Sequence, residues 1–239
     1  MVKQININKL TAAIQQKDIA AWNRWARELV EQGKVINLEE IVLAGVDLSG
    51  IFLQGANLVW ANLTRATLVK AWLVAADFSS ANLMGVNLSG ADLTRAQLLK
   101  ANLTNANLTG AVLRQADLSR AILAKAVLVK ADLLQANLNR VIQIGADLAM
   151  ANLSGANLTR AILAGVKLVG ANLHAANLTR ANLIGANLAR ADLSGAKLIE
   201  VDLAGTDLTG ANLTGADLTG ADFSETDLTV AILKDIIID

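Results

Sequence analysis

The chain has 239 residues, with 21 basic and 21 acidic side chains and no cysteine. A net charge of zero removes any global pull toward nucleic acid or an anionic membrane, and the lack of cysteine excludes disulfides and thiolate metal sites. Hydropathy arises from evenly spaced Leu and Ala rather than from a long apolar run, so no membrane-spanning helix is expected. Charge is nevertheless uneven. Residues 1–190 carry 19 basic and 11 acidic side chains, whereas residues 191–239 carry 2 and 10, so the C-terminal end is acidic.

The first residues, Met1 to Asn8, lack an apolar core of signal-peptide length, and a cytoplasmic protein is the expectation. Residues 1–35 are non-repetitive and read as helical. Asn8 and Asp18 are candidate helix N-caps. Leu10 and Ile14 are spaced i, i+4; Ile19, Trp22, Leu29 and the neighbouring Trp25 and Ala26 form a second apolar stripe. Gly33 is placed to stop that helix. Trp22 and Trp25 are read as packing residues rather than as a stacking site for a ligand.

From Leu38 to Leu233 every fifth residue is Leu or Phe, with the single exception of Gln143. The word is A-[DN]-L-x-x, as in Ala61-Asn62-Leu63-Thr64-Arg65 or Ala91-Asp92-Leu93-Thr94-Arg95. A period of five fits neither helix nor strand. It suits a chain that takes a short extended step and then turns. The central Leu and the residue two before it share one side, giving one large and one small inward residue per step, as a narrow filled core requires. The other three columns face outward. Nearly every glycine lies two residues after the central Leu, marking a corner. Arg65, Arg120, Arg160 and Arg190 stand in the same column, so positive φ is not expected at every corner, and at least two turn types are predicted.

These words resemble the pentapeptide-repeat family over about residues 36–235. The Trp22-Asn23-Arg24-Trp25 stretch is similar to cyanobacterial members. The resemblance implies an all-β solenoid: a right-handed quadrilateral parallel β-helix of about ten coils, four words per coil, with a short α-helical N-terminal cap. At an inter-strand spacing of about 4.8 Å the rod would be roughly 48 Å long. The expected division is a cap over 1–35 and a β-helix over 36–239. Ile36, Ile41, Val46 and Ile51 fall in the first coil, where a cap would press.

Four words per coil stack residues 20 apart, so outward columns can be listed from the sequence. Lys100, Arg120, Arg140, Arg160 and Arg180 form one corner column, whose like charges repel at strand spacing. Ile122, Ile142 and Ile162 form another, in a column where Asn or Asp is usual, and Ile144 and Ile184 lie on the same face. Exposed Ile beside Arg resembles an interface, so Arg120, Ile122, Arg140, Ile142, Ile144, Arg160, Ile162, Arg180 and Ile184 are the candidate interaction face. The competing reading is an ordinary β-surface with a splayed basic edge. Phe52 and Trp72, near Trp60, stand one coil apart, and the N-terminal segment is expected to fold over them. Asp202 and Asp222, and Asp207 and Asp227, stack at the acidic end, but no glycine–aspartate calcium motif accompanies them.

His174 is the only histidine, lies outward, and reads as bystander surface. No acid–base pair converges on a pocket, so the chain is read as non-enzymatic, without cofactor or metal. The expected role is a structural or protein-interaction rod. Two alternatives stand beside it: a DNA-mimicking binder of a type II topoisomerase, as some family members are, and a binder of an anionic partner through the Arg column. Nucleic acid is the less favoured partner, given the neutral net charge. Ile236, Ile237 and Ile238 need cover at the C-terminus. They either lie over the last coil or pair with a second chain, as family members that dimerise end to end do. Gln143 either stays in register, bonded to backbone or water inside the core, or is turned out by a bulge. Retained register is favoured, because Ile142 continues the Ile122–Ile162 column.

Overall fold

The computed structural model describes residues 2–238; the outermost bounds of the two expected regions, Met1 and Asp239, lie outside the described residues. Two helices open the chain, α1 (Val2–Gln15) and α2 (Ile19–Glu31). Asp18 caps α2, accepting a hydrogen bond from the Ala21 N–H at 2.8 Å. Asn8 is not an N-cap. It lies inside α1, where its side chain accepts from Gln4 Nε2. The end of α2 is a Schellman turn: Lys34 N–H donates to Leu29 C=O, Gly33 N–H donates to Val30 C=O, and Gly33 has φ +70°.

From residue 36 onward the chain is a β-helix. Parallel bridges join residues 20 apart, from Asn37–Asn57 to Asp217–Ile237. The central Leu and Ala columns are buried along the rod, and each buried Leu contributes roughly 1.5–3 kcal/mol before chain entropy is counted.

The word follows from an accounting of its five N–H groups. Around Leu63, Asn62 N–H donates to Ile41 C=O in the coil before, and Leu63 N–H to Asn82 C=O in the coil after. Arg65 N–H donates to Met84 C=O, and Ala66 N–H closes the turn onto Leu63 C=O. The remaining donor, Thr64 N–H, is taken by the Asn62 side chain at 3.1 Å. The Asn or Asp of the word therefore satisfies the one backbone donor that neither ladder nor turn reaches.

The expected second turn type is confined to a single corner, Val230. Every corner from Glu40 to Glu225 has a positive φ, Arg65 at 56° as well as Gly85 at 65°, while the residue before it keeps a negative φ. This is the type II pattern. A non-glycine residue in that region costs roughly 1–2 kcal/mol. The ladder on either side imposes the corner regardless, since the corner N–H must reach the next coil.

The one corner that escapes is Val230, the only β-branched residue in the corner column. Two heavy atoms on Cβ make left-handed backbone especially costly. Leu228–Val230 instead forms a 3₁₀ turn. Pairing lapses there: no bridge joins Asp207 and Asp227, and Leu208 N–H and Asp227 N–H find no backbone acceptor among the described residues. Pairing resumes at Asn212–Ile232.

The helices lie over the first coil. Trp22 Nε1 donates to Phe52 C=O at 3.0 Å. Asn23 accepts from Phe52 N–H at 2.7 Å and donates to Gly50 C=O at 2.9 Å. Ile36, Ile41 and Ile51 are buried, but Val46 is only partly covered and borders an open cleft of about 560 Å³ with Ile14 and Ile19. At the other end Ile232, Leu233, Ile237 and Ile238 are exposed. The three final isoleucines do not fold back as a lid. Ile236 takes an inward position and Ile237 bridges to Asp217, as the start of a further word would.

Candidate interaction surface

The Arg column is set by corner geometry. Lys100, Arg120, Arg140, Arg160, Arg180 and Glu200 occupy successive corners, each with φ between 52° and 59°. A shared backbone conformation at a shared spacing makes their stems parallel. Arg180 and Glu200 pair side-on, Nε to Oε2 at 2.7 Å and Nη2 to Oε1 at 3.0 Å. The Arg180 hydrogen bond holds the Glu200 carboxyl below its ordinary value, and Arg160 adds a smaller attraction. Arg120, Arg140 and Arg160 make no ion pair among the described residues. Beside them runs a shallow groove of about 400 Å³, lined also by Asn139, Thr159 and Thr179, the residues just before each corner.

Around the corner lies the isoleucine face. Ile122, Ile142 and Ile162 are bridged in one column. Ile144 is 50% exposed, Ile184 44% and Ile162 41%. Each isoleucine of the column replaces the Asn or Asp that would accept from the N–H two residues on. Ala124, Ile144 and Ala164 N–H consequently have no side-chain acceptor among the described residues. The far edge of this face is smooth: Gly145, Gly165, Gly185 and Gly205 follow one another, and a Cβ at any of them would meet nothing within 4 Å. Beneath the face Gln143 is fully buried, in register, with neither amide atom hydrogen-bonded.

The other sequence candidates are placed more simply. Phe52 is buried under α2, whose Arg27 guanidinium stacks 4.3 Å from the Phe52 ring and 5.2 Å from the Trp72 ring. Trp72 and Trp60 stay largely exposed, so the N-terminal segment covers only part of this aromatic group. Trp22 and Trp25 pack against each other at 5.0 Å, inside the helical segment. His174 is exposed, and its ring Nδ1 lies 2.9 Å from the Ser194 hydroxyl, one coil away. Asp202 and Asp222 are bridged, whereas Asp207 and Asp227 are not.

The pentapeptide-repeat family model, described as "Pentapeptide repeats", matches residues 41–79, 71–110, 81–120, 106–142, 144–174, 176–215 and 196–235. The chain belongs to the pentapeptide-repeat family. Its fold is accordingly the family's right-handed β-helix. HetL, a pentapeptide repeat protein involved in heterocyst differentiation regulation from the cyanobacterium Nostoc sp. strain PCC 7120, is 36% identical. The likeness covers 89% of this chain and 92% of HetL, with a TM-score of 0.79. Rfr23 from the cyanobacterium Cyanothece 51142 is 34% identical over 49% of this chain and 60% of its own, with a TM-score of 0.28. A trypsin-treated form of QnrB1, a plasmid-mediated fluoroquinolone resistance protein, is 19% identical over 84% and 92%, with a TM-score of 0.49. Among curated proteins none matches this chain. Among the described residues no helix is long and apolar enough to cross a membrane.

Proposed function

We propose that this pentapeptide-repeat protein is a non-enzymatic, cytoplasmic rod of about ten coils, closed at its start by residues 1–35, that presents its isoleucine face to a partner protein. The loss of the side-chain acceptor at three consecutive coils carries the reading. Ile122, Ile142 and Ile162 each give up a local hydrogen bond; Ile122 and Ile162 are exposed, and Ile142 between them is half-buried. The same position is apolar elsewhere, as at Val112 and Val127, but only here in three stacked coils. The smooth glycine edge lets another backbone approach closely.

The test is the double substitution Ile142→Asn with Ile162→Asn. It restores the usual word, so the melting temperature should stay level or rise. Partner recovery on an affinity column from the native cell, or dimer mass in sedimentation, should fall. An unchanged partner list together with an unchanged sedimentation profile sinks the reading.

A second contact is favoured by the uncovered last coil. Ile236, Ile237 and Ile238 continue the β-helix, Ile236 turned inward and Ile237 and Ile238 exposed, a surface a second chain can cover. A dimer that survives removal of residues 235–239 excludes it. The rival reading, a DNA-mimicking topoisomerase binder, needs a continuous negative stripe. Here a basic column occupies the middle of the rod, and carboxylates concentrate beyond residue 190.

A further inference from the structure

The groove beside the Arg column is distinct from the isoleucine face, although both share the same corner. We infer that it binds a short acidic segment of a partner protein, with Glu200 standing in its end as an internal competitor. This rests on the reading of the rod as an interaction protein and adds the chemistry of what one surface takes.

The Arg180–Glu200 pair shows how a carboxylate fits. Glu200 reaches one coil back and engages both Nε and Nη2 of Arg180. Planar guanidinium recognises carboxylate side-on in this way. Each of the other arginines would need a carboxylate at the same offset, yet the next corner holds another arginine. Arg120, Arg140 and Arg160 thus stand unpaired, stacked at a spacing where like charges repel. An external carboxylate would relieve that repulsion, as Glu200 does at the end of the row.

Length favours a short peptide. Arg120 to Arg180 spans three coil steps, about 14 Å. Same-side carboxylates of an extended peptide recur about every 6.6 Å, so three of them cover about 13 Å. Of the other residues lining the groove, Asn139 already donates to Thr159 C=O and the Thr159 hydroxyl to Asn157, so the guanidinium groups are the main donors left for a peptide. A long polyanion such as nucleic acid fits poorly. It would run on past Glu200 into Asp202, Asp217 and Asp222, and the neutral net charge gives no long-range steering.

The experiment titrates fluorescein-labelled hexaglutamate into the full chain by anisotropy at low ionic strength, with hexaglutamine and a thymidine hexanucleotide alongside. Hexaglutamate should bind, and hexaglutamine should not. Arg140→Gln with Arg160→Gln should weaken binding at least tenfold without lowering the melting temperature, because like-charge repulsion is removed. Glu200→Gln should tighten binding several-fold by freeing Arg180. No hexaglutamate binding, or binding indifferent to the two arginines, overturns the inference. So does tighter binding of the hexanucleotide with the same arginine dependence, which would assign the groove to phosphate. Ile142 and Ile162 do not line the groove, so this titration can fail while the isoleucine face stands, and the reverse.

Discussion

Two residues depart from the word in ways whose energetic sign can be stated. Gln143 occupies a leucine position, fully buried, with Nε2 and Oε1 unbonded. Next to it the ladder is slightly stretched: Gly145 N–H to Ala164 C=O is 3.2 Å, against 2.9 Å for Gly165 to Ile184. An unpaired buried amide costs roughly 1–3 kcal/mol. Gln143→Leu should therefore stabilise the rod by on the order of 1–2 kcal/mol, read as a higher melting temperature. A fall on this substitution would contradict the geometry. Val230 departs at the corner. Val230→Gly admits the left-handed conformation and should restore two ladder bonds, each contributing about 0.5–1.5 kcal/mol net. The measurable sign is slowed hydrogen exchange at the Leu208 amide. Gln143's register was legible from the uninterrupted count of five on either side. The corner conformation was not, because glycine alone signals positive φ in a sequence, while Arg65 or Trp60 adopts it only under the force of the ladder.

At the scale of elements, the α2–coil junction is held by specific bonds more than by area. Asn23 bonds both sides of one strand, to Phe52 N–H and Gly50 C=O, and Trp22 bonds Phe52 C=O. Asn23→Ala should leave Phe52 N–H unpaired beneath the helix and destabilise the N-terminal end by about 1–3 kcal/mol. Proteolysis within residues 1–35 at a temperature well below global melting would reveal it. The sequence carried the helical stripes and the Asp18 cap, since both are local patterns. It did not carry the role of Asn23, nor the Arg27 stack on Phe52 and Trp72, because these depend on how a helix docks on a coil 25 or more residues away. The outward columns were legible, because stacking at 20 residues is arithmetic. The function of the Asn/Asp column was not, because it became visible only once every backbone donor had been assigned.

For the molecule as a whole, acid is the informative stress. Asp217, Asp222 and Asp227 each accept a hydroxyl hydrogen bond and a backbone N–H from the Thr or Ser two residues on, which holds their carboxyls below the ordinary value; in Asp207 the backbone bond is the larger cause. Asp47 is held down likewise by Ser49. A lowered folded value means a contribution present above the unfolded value of about 3.9 and lost as pH falls through the folded one. Melting temperature should be flat from neutral pH to about 5 and decline from about 4 downward. The decline should start at the C-terminal end, where most of these groups lie. Asp217→Asn with Asp222→Asn keeps the acceptor, removes the titration and should flatten the slope. An acid profile unaltered by that pair would mean other carboxylates dominate.

A coil of four words has one more consequence, for how such a protein can change. Removing a single word, residues 151–155 for instance, would take one word's share of core and ladder and leave the rest continuous, since the flanking words are interchangeable inside. It would instead shift the phase of everything downstream by a quarter turn. Arg160 would then stack over Gln135 rather than Arg140, and Ile162 would leave the column of Ile142. Melting would fall by no more than one word's share, while hexaglutamate binding and partner recovery would both weaken sharply as each column is cut in two. In this fold a change of length in steps of five is quiet in the interior and rewrites the surface, so the interior records how the chain folds and the phase records what it touches.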